Sequence, residues 1–140
     1  MNFIESHYQL NDTEFEKQFE NCTLNPTLFN HEAHLRLAWI HARKYGIEKA
    51  EVNLCDQISR FDTVFGDGTK FNMTLTIASV KTINHFIQKS KSNSFNEFIN
   101  EFPRLKFNFR DVLGFHYKID VFKNEEAKHK YLEPDLLPFE

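Results

Sequence analysis

The sequence predicts an all-α fold: a single-domain bundle of about five to six helices with an extended C-terminal tail. Three observations point there. Apolar residues recur three and four apart in successive segments, which places one stripe along one face of a helix. Glycine and proline, which punctuate short strands and tight turns, number only four each among 140 residues. The one stretch with strand-like composition, residues 73–80, has no second of equal quality to pair with. A chain of this length fits one domain, residues 1–140, and its 41% hydrophobic content suffices for one core.

Residues 1–11 show no period and read as a loose N-terminal arm. Asp12 is placed to cap a first helix whose buried stripe is Phe15, Phe19 and Cys22, with Asn25-Pro26 as its stop. Asn30 caps the second helix and Gly46 ends it; Leu37, Ala38, Ile40 and Ala42 leave it apolar on several sides. The third helix, 47–65, carries Ile47, Ala50, Leu54, Ile58, Phe61 and Phe65 on one face, and Gly66-Asp67-Gly68 breaks it. Residues 71–89 form a central fourth helix. Ser94-Phe95-Asn96-Glu97 is a capping box, followed by Phe98, Ile99 and Phe102 and closed by Pro103. The stretch 104–120 reads as irregular, with a single turn at Asp111-Val112-Leu113. Asn124 caps a last short helix, 125–130. The tail, 133–140, holds two prolines and is expected to lie extended, anchored by Leu136, Leu137 and Phe139.

Charge excludes some partners. The net charge is −3 with both signs interspersed, so no basic stripe marks nucleic acid and no polybasic helix marks a membrane surface. No apolar run reaches spanning length. Cys22 and Cys55 are too few for a disulfide scaffold and read as small buried hydrophobes, with a disulfide between them as the weaker alternative. The first ten residues lack the charged start and apolar run of a signal peptide, so the cytoplasm is the expected compartment.

His31 and His34 open the second helix one turn apart. Side chains three residues apart on a helix share a face about 5–6 Å apart, close enough to chelate one transition metal. The pattern is not that of zinc proteases, whose histidines stand four apart with a glutamate beside the first. A helix N-terminus disfavours imidazolium, so a buried His34 is expected neutral, fit to be a ligand, a base or a plain hydrogen-bonding core residue. His41, seven residues on, lies too far along the helix to share a metal with His34 and reads as a packed polar residue. Asn72 and Thr76, four apart, either line a pocket between helices or use their polar groups locally, as threonine does when it bonds back to the preceding turn. His116-Tyr117 follows Gly114 in the irregular stretch, where functional residues concentrate. There is no glycine-rich phosphate loop and no cysteine–histidine nucleophile pattern.

These blocks resemble a family of small bacterial helical proteins. The shared start reads Phe, polar, His, two residues, His, Leu, here Phe29-Asn30-His31-Glu32-Ala33-His34-Leu35. A block of the form Tyr-His-Glu-Thr, aliphatic, Thr corresponds here to Phe71-Asn72-Met73-Thr74-Leu75-Thr76. A His-Tyr and a Glu-Pro-Asp-Leu segment correspond to His116-Tyr117 and Glu133-Pro134-Asp135-Leu136. The resemblance runs from about residue 29 to 138. It implies the helical fold and a shared pocket near His34, Asn72, Thr76 and His116. Asn72-Met73 stands where the family carries His-Glu, which removes two candidate metal ligands.

The combined expectation is a cytoplasmic helical protein with a polar pocket for a small polar ligand. His31 and His34 would face Asn72 and Thr76, His116 or Tyr117 would close the pocket, and the tail would lie over it. Any acid–base chemistry would fall to His34, with Asn72 orienting the ligand. An alternative is a non-catalytic binding or assembly module, a homodimer or partner-protein surface, suggested by the 16 phenylalanines. A third is a degenerate transition-metal site on His31, His34 and His116; no other cofactor is expected.

Overall fold

A computed structural model describes residues 6–139. Eight α-helices follow in order: α1 Asp12–Glu20, α2 His31–Tyr45, α3 Ile47–Phe65, α4 Met73–Lys89, α5 Phe95–Glu101, α6 Arg104–Phe107, α7 Phe109–Gly114 and α8 Glu125–His129. Single 3-10 turns cover Ser6–Gln9 and Pro26–Leu28. No strand occurs among the described residues. The fold is all-α, and residues 73–80 are helical, as the lack of a pairing partner predicts.

Helices α2, α3 and α4 pack on one another and form the centre. α2 is buried on almost every side, from Glu32 to Ala42, because α1, α5 and α6 cover what α3 and α4 leave. Its ends follow the capping rules. The Asn30 side chain accepts the Ala33 amide, and Gly46 takes φ +86°, a conformation that side chains resist. Phe15, Phe19, Leu37, Leu54, Ile83 and Phe98 are fully buried, each phenylalanine contributing about 1.5–3 kcal/mol of burial free energy.

Several boundaries differ from expectation. The cap of α1 is Asn11, which accepts the Glu14 amide, and Asp12 instead pairs with Arg36. α1 stops well before Asn25-Pro26. The Thr23 amide bonds back to the Gln18 carbonyl and the Cys22 amide to Phe19, with Cys22 left-handed at φ 57°. This is a Schellman closure with a cysteine where glycine is usual, so Cys22 belongs to no helical stripe. Both cysteines are free and half-buried. The stretch 104–120 is not irregular throughout. Pro103, Asn108 and Phe115 bound two short helices, each too brief to show a period. The N-terminal arm is not loose from Ser6 onward, since His7 is buried; residues 1–5 of that expected arm lie outside the described residues.

The tail is extended, but its anchors differ. Leu136 and Leu137 are half-exposed or more and hold by backbone, their amides bonding to the His116 and Phe115 carbonyls. Phe139 is the apolar anchor, stacked on His116 at 4.1 Å, and Asp135 accepts the Lys118 amide. Deleting residues 133–140 is expected to lower Tm by about 3–6 °C, read by circular dichroism. An unchanged melting curve would show that these contacts contribute nothing.

Candidate functional site

The second helix and the start of the fourth meet over an aromatic cleft. Its construction begins at Gly66. A Cβ there would lie 2.6 Å from the Asp62 carboxylate, so only glycine lets the chain turn so closely after α3. Asp62 then accepts the Lys70 and Phe71 amides at 2.8 and 2.9 Å and folds the 66–71 loop back. The loop delivers Phe71 opposite Phe61 and Phe65, while the Pro26–Leu28 turn delivers Phe29. The result is a cleft of about 380 Å³.

Its walls are mostly rings. Phe61 stacks on Phe19 at 4.6 Å and lies 5.4 Å from Phe29 and 4.7 Å from Phe65. His34 continues this row, 5.4 Å from Phe29. Burial pushes the His34 imidazole down to about 4, with the nearby His31 adding repulsion, so the ring is neutral at physiological pH. Neither ring nitrogen of His34 has a hydrogen-bond partner among the described residues. His34 therefore offers one donor and one acceptor beside the cleft.

The depressed His34 value has a stability consequence. Unfolded, its pKa is near 6.5; folded, it is near 4. Between those pH values the unfolded chain binds the extra proton, so stability falls as pH drops from 6.5 toward 4. The contribution is about 2–3 kcal/mol across the window. His34→Gln should flatten the fall in urea midpoint between pH 7 and 5. His41, lowered in the same direction by burial, leaves a residual slope in the variant.

The other expected site residues divide. Asn72 and Thr76 do line this cleft, but their polar groups are spent locally. Asn72 caps α4, its Oδ1 accepting the Leu75 amide while its Nδ2 donates to the Val121 carbonyl at 2.7 Å. Thr76 donates to the Asn72 carbonyl one turn back. Thr74 donates to Lys130 O and accepts the Leu132 amide, so Asn72 and Thr74 together clamp the C-terminal segment to α4. Asn72 cannot orient a ligand without releasing a bond. His31 is exposed and turns aside, with Nε2 donating to the Leu105 carbonyl and the ring against Phe109. It shares with His34 only a void of about 30 Å³.

His116 and Tyr117 do not close the cleft. His116 lies beside the C-terminal half of α4, near Thr82 and Phe86, whereas His34 faces Asn72 and Thr76 in the first turns, and Tyr117 lines neither of these clefts. Six helical residues separate those levels by roughly 9 Å. His116 donates from Nδ1 to Leu137 O, and Tyr117 donates to Leu132 O, so both hold the tail. Burial, with Tyr131 next to it, pushes the Tyr117 hydroxyl far up, where it stays protonated. His31, His34 and His116 are thus not assembled as one metal site. Among the described residues no group of three or more His, Cys, Asp or Glu side chains is placed to hold a metal.

Sequence reasoning missed the charges buried beside this centre. Arg36 is 4% exposed and donates from Nε and Nη2 to the one Asp12 Oδ1, and to the His7 and Leu10 carbonyls. Glu32 is equally buried, accepts from Tyr8 and pairs with Lys106. Glu16 takes Tyr45 and Lys44; burial raises its carboxyl, but those two hydrogen bonds and the His41 ring outweigh it and hold it low. For Arg36 the available signal was an ionic residue inside a helix between Leu35 and Leu37; Glu16 and Glu32 carry no such mark. No helix among the described residues is long and apolar enough to cross a membrane. No family model, curated protein or solved structure matches the chain.

Proposed function

We propose that the protein binds a small, largely apolar, planar molecule in the cleft walled by Phe29, Phe61, Phe65 and Phe71, with one polar group of that molecule bonded to His34. The observation that carries this is a neutral imidazole without an internal partner beside a row of aromatic rings. The volume falls within the roughly 300–1,000 Å³ of small-molecule sites, and an apolar wall with few polar groups is their usual make-up. The ligand is thus less polar than the sequence alone suggests. A base with a pKa near 4 takes protons poorly at neutral pH, so the reading is binding rather than acid–base turnover. The resemblance to the small bacterial proteins supports it, since Phe29, His34, Phe71, Asn72 and Thr76 come from the two shared blocks and line one cleft. A cytoplasmic setting fits the unpaired thiols, of which Cys55 is raised by burial and by Glu51 to about 11 and is inert.

The test uses p-cresol and toluene, which differ by one hydroxyl. Titrated into 15N-labelled protein, p-cresol should shift the His34, Phe61 and Phe71 amides and bind about five- to tenfold tighter than toluene. His34→Phe should erase that difference while retaining toluene binding. Absence of shifts at these amides with 10 mM p-cresol, on the order of the weakest fragment affinities, would overturn the reading. The assembly alternative would use the exposed Phe115, Leu136 and Leu137, which the tail's backbone bonds bring together. Light scattering at increasing concentration separates the two, since a strict monomer removes it.

A further inference from the structure

A second cleft, sharing no residue with the first, lies between the C-terminal half of α4, α7 and the tail. Its volume is about 390 Å³. Phe86, Val112, Phe115, Leu137 and Phe139 supply an apolar lining, and no acidic side chain takes part. Three polar groups around it lack an expected partner. The Thr82 hydroxyl, on a side chain 3% exposed, has no hydrogen bond, although burying an unpaired hydroxyl costs stability. Arg104 meets no carboxylate among the described residues; its guanidinium rests over the Phe86 ring at 4.9 Å. The His85 ring stands edge-on to Phe86 at 5.3 Å with neither nitrogen bonded within the described residues. His116 adds a free Nε2, because its Nδ1 donates to Leu137 O.

An apolar slot with an orphan hydroxyl inside, an unpaired guanidinium at its edge and no negative charge is complementary to one kind of molecule. We propose that this cleft binds an amphipathic monocarboxylate, such as a medium-chain fatty acid. The chain lies among Phe86, Val112, Phe115 and Leu137. The carboxylate takes the Arg104 fork, a bidentate geometry that guanidinium suits better than ammonium. Thr82 Oγ1 is covered, so a side-chain rotation turns the hydroxyl into the slot, where it donates to the carboxylate and loses its orphan state. A second copy of this chain seated on the same apolar rim would bring Arg104 no carboxylate, because the lining of this cleft holds no acidic side chain.

The experiment is a titration of the full chain with octanoate and, separately, octanol, followed by 1H–15N spectra and by calorimetry. Octanoate is expected to shift the Thr82, Phe86 and Leu137 amides and to bind about tenfold tighter than octanol. Arg104→Gln, at an exposed position, should remove that preference and keep octanol binding and Tm. Thr82→Val should weaken octanoate about threefold or more while keeping the fold, as its spectrum will show. Equal binding of the acid and the alcohol, shifts confined to the His34 cleft, or dimerisation in place of saturable binding would each overturn the proposal. The outcome is independent of the p-cresol result, because the two clefts share no residue.

Discussion

Phe61→Ala is expected to destabilise the protein by about 3–5 kcal/mol, the range for an aromatic deletion in a packed core. Phe61 is the hinge pin of the aromatic row. It touches Phe19, Phe29 and Phe65, and only 7% of it reaches solvent. Removing its ring strips a stacked partner from Phe19 and opens the floor of the first cleft, and α3 cannot collapse inward because Leu54 and Ile58 already fill the level below. Tm should fall by about 10–15 °C for a chain of this size, with the urea m-value unchanged. Phe61→Leu should cost less than half as much. A loss below about 1 kcal/mol would mean that the ring is not packed as described.

Arg36→Ala should cost about 3 kcal/mol or more. Arg36 reaches from α2 across to the segment before α1, where it meets one carboxylate and two backbone carbonyls, and its guanidinium lies 4.7 Å from the Phe15 ring centre. The substitution leaves the Leu10 carbonyl without its donor, the His7 carbonyl with only the Leu10 amide, and a gap beside Phe15. Asp12→Ala should cost much less, because Asp12 is 51% exposed and water replaces its partner. Arg36→Lys should not restore stability, since an ammonium cannot span three acceptors set in a fork. Chemical denaturation of the three variants reads the order directly. Equal losses for Arg36→Ala and Asp12→Ala would place the stabilisation in the ion pair alone and refute the role given to the carbonyls.

The long helices were legible because each carries both a period and caps. Asn30 and Gly46 bound α2 as read from the sequence, and Ser94 caps α5, although Glu97 reaches back to the Asn93 amide rather than to Ser94. The short helix α6 was not legible, and α7 was read only as the single turn at Asp111-Val112-Leu113, since four and six residues hold too little period to stand out from a loop. The convergence of His34, Asn72 and Thr76 was anticipated from their places on two helices. The spending of Asn72 on a cap was not, because the helix start was set two residues too early; asparagine just before an apolar-periodic run is itself an N-cap signal. Phe61 and Phe65 of the cleft were read as core from their stripe, and periodicity cannot tell a covered ring from one at a cleft wall. His116 went astray for a topological reason. Nothing local states at which level of α4 the returning chain crosses.

The clamp of Asn72 and Thr74 on Val121, Lys130 and Leu132 spans some fifty residues of chain. A ribosome delivers α4 long before it delivers the segment that these side chains grip. The nascent helix therefore waits with its amide and hydroxyl hydrated and one apolar side bare, and the closing step of biogenesis is the arrival of the C-terminal strap.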